Sequence, residues 1–159
     1  MTTTGLDPAN RVSMRPATAA DIRLLGETLR DADRKEIEDG GLTVKKALWR
    51  SFKKSLWCNA FFVDGDLAVV HGLGGDCISD TGFPWMITTK AAERMPLAFL
   101  KIGRGQMARM LDDKPRLLGF AAADYSRACA FLVACGFTLD APEPAARPGA
   151  WTRCFHKER

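Results

Sequence analysis

Apolar and polar positions change period several times along the chain, and each change marks a predicted element. "RVSMRPAT" alternates and stops at Pro16, as a first strand would. Thr18, with Asp21 three residues later, forms a capping-box pattern. Behind it Ile22, Leu25, Leu29 and Ala32 fall on one helical face. "DRKEIEDGG" is charged and ends in two glycines, so it reads as a turn. Thr43 is placed to cap a second helix, in which Val44, Leu48, Ser51 and Phe52 face one way and Lys46, Arg50, Lys53 and Lys54 the other.

Farther on, "NAFFVDGDLAVVHG" is a hairpin signal, because Asp64-Gly65 suits a tight turn between two apolar runs. "PWMITT" reads as a strand. Pro96 opens a long helix with Leu100, Gly103, Met107 and Leu111 on one side, and "PRLLGFAAA" is a further strand. "YSRACAFLVACGF" repeats Ala128, Phe131, Leu132 and Cys135 at helical spacing and ends on Gly136, a C-terminal cap. The tail reads as two strands around the loop "APEPAARPGA". The order β α α β β β α β α β β describes one α/β domain over residues 11–159, preceded by a polar arm at residues 1–10.

Composition narrows this picture modestly. The chain has 159 residues, 47% of them hydrophobic and 26% charged, which suits one globular domain. A net charge of +4 favours an anionic partner without specifying one. Nucleic-acid binders concentrate more positive charge, so a nucleic-acid module ranks last among the function classes. The five cysteines form neither a CxxC pair nor a zinc spacing, and read as reduced thiols, mostly small buried hydrophobes, with no metal implied. "MTTTGLDPAN" lacks the basic start and apolar run of a secretion signal, and no apolar run approaches the length of about 20 residues that a membrane span needs.

The element order, opened by "MRPATAADI" and ending a helix with "ACGF", resembles the GNAT acetyltransferase superfamily. Within it, "FPWMITT", "MPLAFLKIGRGQMARMLDDKPRLLGF" and "RACAFLVACGF" resemble the GNAT-like proteins of short-tailed bacteriophages, a group that includes a small internal virion protein. The likeness runs from about Arg11 to Phe155. It implies a single GNAT-type domain with a mixed, twisted sheet and helices on both faces.

For function the resemblance implies two readings. Enzymes of the superfamily hold the pyrophosphate of coenzyme A on a loop of the form R/Q-x-x-G-x-G/A that opens a helix. Here that loop reads "KAAERMPLAF", with Arg94 at the first position but Leu97 and Phe99 where small residues belong. Gly103 and Gly105 do not replace them, since the helical period runs straight through both, and close packing explains them better. The family's tyrosine acid stands four residues before the closing glycine, where this chain has Leu132; Tyr125 lies about two turns away. His71 and Glu93 are the nearest candidates for a base. Thr88, Thr89 and Arg94 are the candidates for holding acetyl-CoA.

The first reading is therefore a virion or assembly protein on a degenerate acyltransferase scaffold. It needs no cofactor, is made in the host cytoplasm, and works through contacts with other phage proteins or as an oligomer. Ala130, Val133 and Ala134, apolar on the outward face of the last helix, are its candidate interface, unless the "APEPAARPGA" loop folds over them. The alternative is an acetyl-CoA-dependent N-acetyltransferase with an atypical site.

Overall fold

The computed structural model describes residues 11–159; the polar arm expected at residues 1–10 lies outside the described residues. Strand β1 (Val12–Pro16) leads into α1 (Ala19–Thr28), α2 (Asp31–Asp39) and α3 (Val44–Lys54). The hairpin β2 (Ser55–Val63) and β3 (Asp66–Gly74) follows, then β4 (Thr81–Thr88) and a short 3-10 helix, Lys90–Arg94. Next come α4 (Pro96–Asp113), β5 (Arg116–Ala122), α5 (Ser126–Ala134), β6 (Thr138–Leu139), β7 (Glu143–Pro144) and β8 (Trp151–Glu158). The sheet runs β1-β2-β3-β4-β5-β8-β6, with β7 also on β8, and is antiparallel except where β4 meets β5.

Local chemistry accounts for most boundaries. Thr18 and Asp21 form the expected capping box, and Thr43 accepts from the Lys46 N–H at 3.3 Å. Asp64 (φ 52°) and Gly65 (φ 83°) are both left-handed, as a tight hairpin turn requires. Side chains on β2 alternate between two cores. Ala60 joins Ile22, Leu25 and Leu48 from α1 and α3, whereas Phe61 and Val63 join Ala91 and Ala92 of the 3-10 helix with Phe99 and Ile102 of α4. Helices thus cover both faces, as expected. A third core joins α4 and α5 to β5 and β8 through Met110, Leu117, Leu132 and Phe155. Burying each large side chain there contributes about 1.5–3 kcal/mol.

Gly103 is a packing glycine. A Cβ on it would stand 2.5 Å from Cζ of Phe131, whose ring stacks on Phe99 at 4.8 Å, so the missing side chain lets α5 close on α4. Gly105 has open space around it, so the close packing expected there is not found.

Three further expectations change. Residues 33–39, read as part of a turn, belong to a helix over Asp31–Asp39, and Ala32 belongs to it rather than to α1, which stops at Thr28. The tail holds three strands, because Glu143 and Pro144, inside the expected loop, pair with Thr152 and Trp151 at the start of β8. Of the cysteines only Cys135 is buried, Cys77 is exposed and the others lie between; all five are free thiols. Among the described residues no helix is long and apolar enough to cross a membrane.

Candidate functional site

Strands β4 and β5 start as a parallel pair, Thr81 opposite Arg116 and Gly82 opposite Leu117, and then diverge. The wedge between them is a cleft of 160 Å³ lined by Met86 and Ile87 on one strand and Phe120 and Ala121 on the other, with Met107 and Leu132 at its base. Backbone phase decides what faces it. The Thr88 N–H bonds Asp33, not β3, so Thr88 points its peptide groups away from β3. Side-to-side alternation then turns the peptide groups of Met86 and Pro84 the same way. Pro84 is tolerated in an interior strand because the N–H it lacks would have faced the wedge. Met86 thus presents an N–H and a C=O to the cleft, where among the described residues no strand pairs with them.

Helix α2 closes the wide end of this wedge with carboxylates. Asp33 is buried and accepts from the Thr88 N–H at 3.1 Å and the Thr88 hydroxyl at 2.6 Å. Burial pushes its carboxyl up, opposed by those two bonds and by Arg30. Glu36, one turn on, accepts from the Ala122 N–H at the end of β5 at 3.2 Å. Burial first, then the negative charges of Asp33, Asp124 and Asp39, push its carboxyl up to about 7. Asp39 is neutralised by Lys35 at 2.6 Å and Arg147 at 3.4 Å. The acidic helix thus satisfies backbone donors at the ends of both diverging strands.

Glu36 also faces a second cavity, of 360 Å³, bounded by the end of α2, the β7–β8 connection and the outer part of β5. Ile37, Ala47, Phe120, Ala146 and Trp151 supply much of its wall. Among the described residues Glu36 is the one ionisable residue that lines both this cavity and the wedge.

The residues singled out from sequence are brought together only in part. Thr88 and Tyr125 meet at α2: Tyr125 precedes α5, is half-buried, and has its hydroxyl pushed up by burial and by the Asp33 charge. Thr89 instead donates its hydroxyl to the Leu67 carbonyl at 2.5 Å and caps the 3-10 helix. His71 is buried under α4, 3.1 Å from Gln106 and edge-on to Trp57, and burial pushes its pKa down, which favours a neutral, structural ring. Glu93 pairs with Arg30 at 3.3 Å and Arg127 at 3.4 Å, outside the wedge. Arg94 turns back to the hairpin and pairs with Asp66 at 2.8 Å. Leu97 is 82% exposed and Phe99 packs into the core.

On α5, Ala130 and Val133 are exposed, and Ala134 is half-buried with its carbonyl bonded by Arg104 at 3.0 Å. The "APEPAARPGA" loop does not fold over them; it runs to α2. Sequence reasoning missed Asp33 and Glu36, because α2 carries no apolar stripe to announce it. Its available signals were Asp31 and Asp33 in the first turn and two glycines at the end, the second at φ 81°.

No protein-family model matches the sequence, and no curated protein is similar to it in sequence. Solved structures are similar in fold. An acetyltransferase of the GNAT family from Bacillus anthracis superposes with a TM-score of 0.68 at 10% identity, covering 94% of this chain and 96% of that one. RimL, a ribosomal L7/L12 alpha-N-protein acetyltransferase solved with coenzyme A, gives 0.66 at 10% identity and 96% coverage of both chains. The aminoglycoside acetyltransferase AAC(6')-Ib, solved with ribostamycin and coenzyme A, gives 0.66 at 14% identity and 94% coverage of both. The chain is a single α/β domain with the GNAT acetyltransferase fold.

Proposed function

We propose that the chain is an acetyl-CoA-dependent N-acetyltransferase with an atypical site. The observation that carries this reading is the open peptide edge at Met86 inside the β4–β5 wedge. An interior strand that leaves an N–H and a C=O unpaired needs a partner there, and the pantetheine arm of acetyl-CoA is an extended chain bearing amides. The wedge walls are apolar, as a site for such an arm should be.

The remaining groups fit as well. Leu97 points into solvent and Phe99 into the core, so the bulk expected to crowd the pyrophosphate loop is directed elsewhere. The first-turn N–H groups of Leu97 and Ala98 have no intrahelical acceptor, and would hold phosphate oxygens. Arg94, committed to Asp66, would not. When bound, acetyl-CoA supplies a thioester carbonyl as the electrophile. That solved neighbours of this fold carry coenzyme A supports the reading. Calorimetric titration of the full chain with acetyl-CoA tests it: a micromolar dissociation constant is expected, and no binding at millimolar concentration overturns it.

The second reading, an assembly or virion protein working through contacts with phage proteins, rests on the exposed Ala130 and Val133 and on the phage resemblance. Ala130→Glu should abolish self-association or capture by phage proteins without lowering the melting temperature. A monodisperse wild-type monomer that captures no phage protein refutes it.

A further inference from the structure

The 360 Å³ cavity beside α2 is walled almost wholly by apolar side chains, yet one edge carries a carboxylate, Glu36, with no cation beside it among the described residues. We propose that this cavity binds a monoamine with an aromatic or similarly apolar body, its ammonium held by Glu36 at the opening into the β4–β5 wedge. The role of that amine as acyl acceptor rests on the acetyltransferase reading; its binding does not.

Size and wall chemistry set the body. An apolar cavity of about 150 Å³ accommodates a benzene ring, so 360 Å³ has room for a ring and a short alkyl arm. Trp151 and Phe120, 54% and 57% exposed, are large rings left partly open beside it, which an apolar guest would cover.

Charge sets the head group. Asp39, the other carboxylate of the cavity, is already held by Lys35 and Arg147. Glu36 Oε2 accepts from the Ala122 N–H, and Oε1 has no hydrogen-bond partner among the described residues. The titratable groups around Glu36 are Asp33 and Asp39 of α2, Asp124 beyond β5, Tyr125 just before α5 and Cys129 on it, together with the Ala122 N–H of β5. Helix α3 presents Ala47, Leu48 and Ser51, and the β7–β8 connection presents Pro144, Ala145, Ala146, Trp151 and Thr152, none of them charged. One ammonium therefore finds one available carboxylate. A polyamine would leave its second ammonium against apolar wall, at the cost of burying an unpaired charge.

In transfer, R–NH3+ gives one proton to the Glu36 carboxylate. The freed nitrogen pair forms the C–N bond as the thioester C–S bond breaks, a second nitrogen proton goes to the departing thiolate, and Glu36 returns its proton to solvent. A pKa near 7 suits that exchange.

The test is calorimetry of the full chain with 2-phenylethylamine and with spermidine, in the absence of acetyl-CoA. Phenylethylamine should bind at least tenfold more tightly than spermidine, and more than about tenfold more tightly at pH 7.5 than at pH 5.5, where Glu36 is protonated. Glu36→Gln should weaken binding at least tenfold while retaining the fold, as should Ala146→Trp by filling the cavity. Equal or tighter spermidine binding, unchanged affinity in Glu36→Gln, or no phenylethylamine binding at millimolar concentration overturns the proposal. Separate titration with acetyl-CoA reads the acetyltransferase proposal independently.

Discussion

Replacing Glu36 by glutamine should make the protein more stable at alkaline pH. The carboxyl stands near 7 in the folded chain against an ordinary 4.5, because burial and three neighbouring carboxylates disfavour its charge. Between those two values the folded chain holds more proton on Glu36 than the unfolded chain does. Stability contributed by the protonated form is complete below about 4.5 and is lost as pH rises through about 7. At about 1.36 kcal/mol per unit of pKa, the loss is roughly 3 kcal/mol, and roughly 2 after allowance for the side chain's partial exposure. Glutamine has the shape of the protonated acid and keeps an oxygen for the Ala122 N–H, so it should escape the loss. Urea denaturation of both proteins at pH 4.5 and pH 8 measures it: the Glu36→Gln advantage at pH 8 should exceed that at pH 4.5 by about 2 kcal/mol. Comparing the two proteins cancels every other titrating group that does not touch Glu36. Parallel pH profiles within about 0.5 kcal/mol would refute the reasoning and, with it, the placement of an uncompensated carboxylate on α2.

Gly103→Ala and Gly105→Ala should differ in sign. Gly105 has room, and alanine there should stabilise α4 by up to about 1 kcal/mol, whereas at Gly103 the added Cβ meets Phe131 and should cost about 1–3 kcal/mol; thermal melts of both variants decide. Asp33→Ala leaves the Thr88 N–H and hydroxyl without their acceptor and should cost about 2–4 kcal/mol, read by urea denaturation. His71→Gln should leave acetyl transfer within about threefold of wild type, since a buried, neutral ring packed under α4 moves no proton; a fall of about a hundredfold with folding intact would return it to the role of base.

Periodic and capping signals carried most of the fold. The alternation of β1, the capping box at Thr18, the Asp64-Gly65 hairpin and the single helical period of α4 through Gly103 all act over a few residues, so the sequence determined them without knowledge of the rest. The element order, short of α2 and one tail strand, came from the same signals in series. What only the tertiary structure decided was every feature that joins distant segments. Helix α2 has almost no apolar face; its carboxylates bond backbone N–H groups at Thr88 and Ala122, 55 and 86 residues away, which no local period records. Glu36 gains its raised pKa only where α2 packs between two strands. Leu97 and Phe99 filled the pyrophosphate loop on paper, yet the path of α4 turns one outward and the other into the core. Pro84, where the strand was expected to begin, lies inside β4 and is accommodated because β4 and β5 part company beside it. A residue's type follows from the sequence alone, but its partners, and hence its charge and its chemistry, follow from which segments the sheet brings side by side.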